Sequence, residues 1–268
     1  MKKKLTLLLA ILLGVSFAAC SVDSSSSNTS DSSTAPSASE SSSSSSYEPQ
    51  DSYPFIGTKT VTVPYTANAP TIDGNLDEVY ANAPTIDITE KYYYYNGGPL
   101  STSASAKLLY DDEYIYLYVE VMDYVVDVNN DTVWKRDALG VMLDFNYYRF
   151  KDTYSNAQQL KDNIGYVNLA VGGYNPIEYY NLYASNLTLQ GKISYAQVIS
   201  DDGYAYELRL PLPEYSGDIA GEKIGFEPLC LDAYNGDRQG ALSWNVNGSE
   251  IWQYTHVAGT IIFGDKNI

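Results

Sequence analysis

Histidine is almost absent from this chain, with one residue, His256, among 268. Imidazole-built metal sites and His-dependent nucleophile relays therefore lack their parts, and no Gly-x-Ser-x-Gly elbow or His-rich zinc spacing occurs. Positive charge is also scarce: 16 Lys and Arg stand against 33 Asp and Glu, a formal net charge of −17. That balance argues against nucleic acid and anionic lipid surfaces, which need basic patches, and favours neutral or cationic partners. Cysteine is limited to Cys20 and Cys230. Cys20 directly follows a leader and is set aside for lipid, so the folded part has a single thiol and no internal disulfide. Cys230, on an apolar strand, reads as an inert buried thiol. Phenylalanine is sparse, six residues against 27 tyrosines. Tyr suits strands and tolerates exposed surfaces, so most of these are structural, and Tyr166 is the one kept as a binding candidate.

The longest apolar run is short. Met1-Lys2-Lys3-Lys4 is followed by an apolar stretch from Leu5 to Val15 and then Ser16-Phe17-Ala18-Ala19-Cys20. A cationic start, a brief apolar core and small residues before a Cys make a secretory signal, too short to be a lasting transmembrane span. The Ala18-Ala19-Cys20 junction resembles the lipobox of bacterial lipoproteins, although Phe17 replaces the commoner Leu at its first position. The resemblance implies a diacylated Cys20 as the mature N-terminus. Residues 1–19 are therefore expected to be a lipoprotein signal peptide, and 20–52 a lipidated Cys with a Ser-rich linker. The linker has almost no apolar side chains to offset the entropy cost of ordering, so disorder is expected. Its end-to-end distance is on the order of 30 Å.

Residues 53–268 are enough for one large domain. Helical periodicity is scarce and short alternating runs dominate. Lys59 to Tyr65 reads as a strand, Leu76 to Ala81 as one helical turn, and Tyr92 to Tyr95 as part of a polar aromatic loop. Ser105 to Tyr110 and Tyr114 to Val121 form a hairpin around Asp111-Asp112-Glu113. Lys192 to Ile199 and Tyr204 to Leu210 form another around Asp201-Asp202-Gly203. Ile164 to Val171 is a strand with Tyr166, Asn168 and Ala170 on one face. Lys223 to Tyr234, apolar on both faces near Leu229 to Leu231, is a central strand, and Val257 to Phe263 is the last. The fold class this predicts is all-β, an antiparallel, jelly-roll-like β-sandwich.

The chain is organised around Trp134-Lys135-Arg136-Asp137-Ala138-Leu139-Gly140-Val141-Met142-Leu143-Asp144. Leu139, Val141, Leu143 and Phe145 alternate with Ala138, Gly140, Met142 and Asp144, so one face is core and the other, small or polar, is accessible. A loop tryptophan just before such a strand is placed to overhang that face, where a flat ring suits the apolar side of a sugar. Capping the core is the competing role for Trp134.

In order, these motifs resemble the family 9 carbohydrate-binding modules, DOMON-like β-sandwiches attached to xylanases. They are Ala69-Pro70-Thr71-Ile72-Asp73-Gly74-Asn75-Leu76-Asp77-Glu78-Val79-Tyr80, Lys107 to Val121, Trp134 with Asp137, Gly203-Tyr204 with Glu207 to Pro211, Gly221 to Phe226, Ser243-Trp244 and a closing Gly-rich strand. The resemblance spans about 59–263. It implies a non-catalytic sandwich that grips sugar between two tryptophans and binds reducing ends of glucans and xylans, often with structural calcium. Trp134 matches the first clamp residue, Trp252 the second, and Asn168 a hydrogen-bonding Asn. Two positions depart. A sugar-binding Glu is Gly140 here and a binding Arg is Tyr166, so the charged part of the hydroxyl-reading set is missing.

The expected protein is thus a lipid-anchored binder on the extracellular face of a bacterial membrane. It would hold poly- or oligosaccharide for glycoside hydrolases nearby, with Trp134, Trp252, Asn168 and Tyr166 as ligand residues and no catalytic ones. Oxygen-rich clusters at Asp73-Gly74, Asp77-Glu78 and Asp123 to Asp131 offer hard ligands for calcium, without EF-hand spacing. Three rivals stand beside this reading: an adhesion or scaffold domain with a vestigial sugar site, a glycoside hydrolase accessory with its own paired carboxylates, and a haem-binding domain using Met122, Met142 or His256. Trp244, at a strand end, reads as core.

Overall fold

A computed structural model describes residues 57–93, 102–150, 162–173, 175–214, 218–245, 248–252 and 254–266. The leader, Cys20 and the Ser-rich segment lie outside them, as does most of the polar excursion after Tyr147.

Two sheets stack face to face. The first, sheet A, contains β1 (Thr60–Val63), β3 (Glu90–Tyr93), β6 (Ala138–Asp144), β7 (Ile164–Ala170), β8 (Ile177–Asn181), β11 (Lys223–Tyr234), β12 (Asp237–Ser243) and β13 (Gly259–Phe263). Sheet B contains β2 (Thr85–Ile88), β4 (Ser103–Tyr110), β5 (Tyr114–Met122), β9 (Ser194–Ser200) and β10 (Gly203–Pro211), in the order β2-β4-β5-β10-β9. The spatial order in sheet A is β1-β13-β11-β6-β7-β8. Strand β11 is long enough to pair β13 with its first half and β12 with its second, while β6 runs along its other edge. All pairs are antiparallel except β1 with β13, so the sandwich is as expected with one parallel edge. Two single-turn helices, α1 (Leu182–Ser185) and α2 (Leu187–Gln190), link β8 to β9.

The core lies between the sheets and is supplied by the alternation. Leu139, Val141 and Leu143 of β6, Val167 and Leu169 of β7, Ile115, Leu117, Val119 and Val121 of β5, and Tyr204, Tyr206, Leu208 and Leu210 of β10 form one buried cluster. Cys230 and Trp244 belong to it, and burial pushes the Cys230 thiol up to about 12. Burial of each such side chain stabilises the fold by roughly 1.5–3 kcal/mol.

Two expectations need correcting. The second face of β6 is not open to solvent: all seven of its residues are buried. The chain covers that face with its own apolar side chains, Val133 from a 3-10 turn before β6 and Ile251, Val257 and Ala258 from the segment before β13. The Tyr92 region is also not simply loop, because Glu90–Tyr93 pairs with β12 as a strand.

Candidate functional site

Cross-strand register sorts the outer face of sheet A into rows. One row runs Ser243, Leu229, Gly140, Asn168, Glu178 across β12, β11, β6, β7 and β8. The next runs Glu227, Met142, Tyr166, Tyr180. The rows move from fully enclosed at β11, where Leu229 and Glu227 are buried, to partly open at β8, where Glu178 and Tyr180 are half-buried. Tyr166 stacks on Tyr180 with ring centroids 5.2 Å apart and an interplanar angle of 28°, an arrangement worth about 0.5–1.5 kcal/mol beyond its buried area. The Tyr180 hydroxyl donates to Glu178 Oε2 at 2.5 Å. Burial, and then that bond to the carboxylate, push the Tyr180 phenol above its ordinary range.

Gly140 lets two neighbours converge. A Cβ there would lie 2.8 Å from Asn168 Oδ1 and 3.4 Å from the Tyr166 hydroxyl. Asn168 Oδ1, enclosed over Gly140, accepts no hydrogen bond from the described residues. Asn168 is 4% exposed, so it lies beneath the tyrosines rather than beside solvent.

Trp134 occupies the 3-10 turn Val133–Lys135 and packs, half-buried, against the outer-face cluster. The Arg238 guanidinium lies 5.3 Å and the Lys135 ammonium 5.4 Å from its ring centroid, and Lys135 also pairs with Asp237 at 3.3 Å. Cations against the indole hold it electrostatically. Trp252 differs: it is 56% exposed, directly after the fully buried Ile251 of the same cluster. Its loop is anchored by Glu227, which accepts the backbone N–H of Trp244 (2.7 Å), Asn245 (2.9 Å) and Gly259 (3.2 Å) and the Asn245 amide (3.0 Å). Burial still lifts the Glu227 carboxyl to about 8. Gly248, four residues before Trp252, must be glycine for that approach, since a Cβ would collide with the Glu227 carboxylate.

The structure therefore brings Tyr166 and Asn168 together on adjacent rows, and sets Trp134 and the Trp252 loop against the same cluster. Met122 lies on sheet B and Met142 on sheet A, and His256 Nδ1 hydrogen-bonds to the Phe150 carbonyl at 2.9 Å.

The calcium expectation takes a different form from the one read in sequence. Asp123, Asp137 and Asp232, from three separate segments, place carboxylate oxygens within 4.8 Å of one another, and all three are buried. Asp137 accepts the N–H groups of Asp127 and Ala233, and Asp232 accepts from the Thr102 hydroxyl at 2.9 Å. Arg136 next door turns away to the Gly172 and Asn175 carbonyls. Burial, with Asp123 alongside, pushes the Asp137 carboxyl up to about 9. Three crowded buried carboxylates fit a hard divalent cation, which takes oxygen ligands and removes that repulsion. Of the clusters read in sequence only Asp123 contributes. Burial also removes this group from use as a glycosidase pair, since no substrate reaches it.

Residues 72–266 match the family described as carbohydrate family 9 binding domain-like. The chain belongs to the family 9 carbohydrate-binding modules. This is a family of non-catalytic binding modules, so the folded domain is a carbohydrate-binding module and not an enzyme. Among curated proteins it is similar to exoglucanase XynX of Acetivibrio thermocellus, 25% identical over 199 residues, covering 74% of this chain and 16% of that protein. It is likewise similar to endo-1,4-beta-xylanase A of Thermotoga maritima, 25% identical over 201 residues, covering 74% and 17%. The chain thus spans about a sixth of the length of these relatives. Among solved structures, a family 9 module from Caldicellulosiruptor kristjanssonii in complex with cellotriose superposes with a TM-score of 0.64, at 22% identity, covering 78% of this chain and 96% of that one. A family 9 module from the same organism in complex with glucose gives 0.63 at 23% identity, covering 78% and 98%. These likenesses give the fold.

Sequence reasoning missed Glu178 and Tyr180, because Ile177–Asn181 was not recognised as a strand. The signal available was an i, i+2 Glu-x-Tyr pair following a strand that already carried Tyr166 and Asn168. It also missed the Asp123–Asp137–Asp232 cluster, whose members are far apart in the chain.

Proposed function

We propose that this protein is a bacterial surface lipoprotein that holds neutral polysaccharide or oligosaccharide near the cell for glycoside hydrolases carried on other chains. Lipid on Cys20 anchors it on the extracellular face of the membrane, and the Ser-rich segment acts as a tether. Trp134 and Trp252 grip a sugar ring, and Tyr166 and Asn168 support the face beneath it. The observation that carries the reading is Trp252. A tryptophan left 56% exposed beside a buried apolar cluster offers a flat apolar surface of the kind sugar rings stack on, and Trp134 packs against that cluster from another segment. The relatives that bear such modules are xylan- and glucan-degrading enzymes by name, and the cellotriose and glucose complexes make neutral glucans and xylans the ligands to try.

Stacking on a solvated ring gives modest affinity, with a Kd on the order of micromolar to millimolar. Isothermal titration of the full chain with cellobiose, xylobiose, xylose and their reduced alditols tests the reading, with Trp134→Ala and Trp252→Ala beside it. Binding lost in both variants and weakened by reduction of the sugar end supports a reducing-end clamp. No binding to any sugar overturns it and leaves a scaffold with a vestigial site. The anchor is tested separately: Cys20→Ser moves the protein from the membrane to the soluble fraction, and a variant that stays on the membrane contradicts lipidation.

A further inference from the structure

The missing charge at Gly140 has a counterpart further along the same row. Gly140, Asn168 and Glu178 stand in register on neighbouring strands, so Glu178 lies two strand spacings away, about 10 Å. It is half-buried on the edge strand β8, reachable from solvent, whereas Asn168 is enclosed. Its carboxylate is not loose, because the Tyr180 hydroxyl donates to one oxygen at 2.5 Å. Tyr180 is held in turn by its stack on Tyr166. The direction of this bond is set, with the Tyr180 O–H donating to Glu178 Oε2. Among the described residues the Tyr180 hydroxyl is the one donor to this carboxylate, so Glu178 Oε1 keeps its acceptor capacity at the open edge of the sheet. A ligand that completes the row must bring donors.

Resting on the carbohydrate-binding reading above, we propose that Glu178 is a specificity-determining ligand residue of this module, positioned by Tyr180, and that it selects neutral, hydroxyl-rich glycans over acidic ones. An ionised carboxylate takes sugar O–H groups in charge-assisted hydrogen bonds. The same carboxylate, in a chain of net charge −17, repels a uronate. Nothing in the row carries a positive charge to offset that. Tyr180 is a positioning residue, and the reading function sits at the sheet edge instead of its middle.

The test is a titration of the full chain with cellobiose and with the corresponding disaccharide carrying a glucuronic acid unit, for wild type, Glu178→Gln, Tyr180→Phe and Trp134→Ala. The wild type binds cellobiose and discriminates strongly against the acidic sugar. Glu178→Gln weakens cellobiose binding roughly 10- to 100-fold, the span expected for a hydrogen bond to a charged group, and narrows the ratio between the two sugars. Tyr180→Phe weakens cellobiose less but narrows the ratio in the same sense, a change that a merely structural role would not produce. Cellobiose affinity within twofold of wild type in Glu178→Gln, together with binding lost in Trp134→Ala, overturns this inference and leaves the clamp standing. A wild type that binds neither sugar overturns both. Weaker binding with an unchanged ratio also overturns the selectivity claim. Circular dichroism melts of each variant separate misfolding from loss of the contact, and Glu178→Asp, which keeps the charge, retains the discrimination.

Discussion

Both outer faces of this sandwich carry rows of tyrosine, yet only one is arranged as a site. On sheet B, Tyr116 and Tyr118 of β5 point outward, and the chain seals them with its own N-terminal 3-10 turn, whose Tyr80 is fully buried against them. The Tyr116 hydroxyl is satisfied internally by Asp111 Oδ2 at 2.6 Å. On sheet A, Tyr166 is buried as well, at 7% exposure, but its stacking partner Tyr180 on the edge strand β8 stays half-buried. Trp252 stands out from the same cluster into solvent. The difference is not in the strands, whose alternation is alike. A distant segment decides whether an aromatic strand face becomes interior or stays available to a ligand.

The contrast can be broken most strongly on the sealed side. Tyr80→Ala is expected to destabilise the fold by about 3–5 kcal/mol, as for other large aromatic truncations in cores, while the folded fraction binds sugar with unchanged affinity. Denaturant melts and titration below the melting temperature check both halves. Chelation comes next. If a divalent cation at Asp123, Asp137 and Asp232 is held at about a thousand times its Kd, it adds about 4 kcal/mol, and EDTA lowers the melting temperature on the order of 10 °C for a domain of this size. Restoration by calcium but not by sodium confirms the cause. Asp137→Asn should remove the EDTA response.

The anchor of the Trp252 loop gives a smaller, pH-dependent effect. The folded-state pKa of Glu227 is raised from 4.5 to about 8, so the native state keeps a proton that the unfolded chain releases. Its contribution is complete below about pH 4.5 and is lost as pH rises toward 8. With calcium in excess, melts from pH 4 to 9 should show that decline, and Glu227→Gln should flatten it. A wild-type profile that rises over this interval contradicts the assignment. The smallest effect concerns Cys230. Its buried thiol should not react with thiol reagents in the native state, and Cys230→Ser should cost about 1–3 kcal/mol by burying an unpaired hydroxyl, without changing sugar affinity.

How much of this was legible in the sequence follows from the same contrast. Strands β4 through β7 and β10 alternate cleanly and were readable because one face of each packs into the central core, while β9 was marked by its Asp202-Gly203 turn into β10 and β11 by its apolar run. Strand β12 was not, since Asp-Arg-Gln-Gly begins it and only Ala-Leu-Ser shows a face. Strand β8 failed for a related reason: its five residues are all half-buried at a sheet edge, so they lack the contrast that marks a strand. The site divides along that line. Trp134, Tyr166 and Asn168 stood on or beside readable strands, while Glu178 and Tyr180 did not. The burial of the second face of β6 was also out of reach, because most of its cover, Ile251, Val257 and Ala258, arrives from a segment about 110 residues later in the chain.

The measurement that tests the central claim most directly is chemical-shift mapping of the isotope-labelled protein during a cellobiose titration. The account predicts shifts at the Trp134 and Trp252 indoles and along β7 and β8, with Tyr116, Tyr118 and Tyr80 unmoved. Shifts confined to the sheet B face, or spread evenly over both, would contradict it.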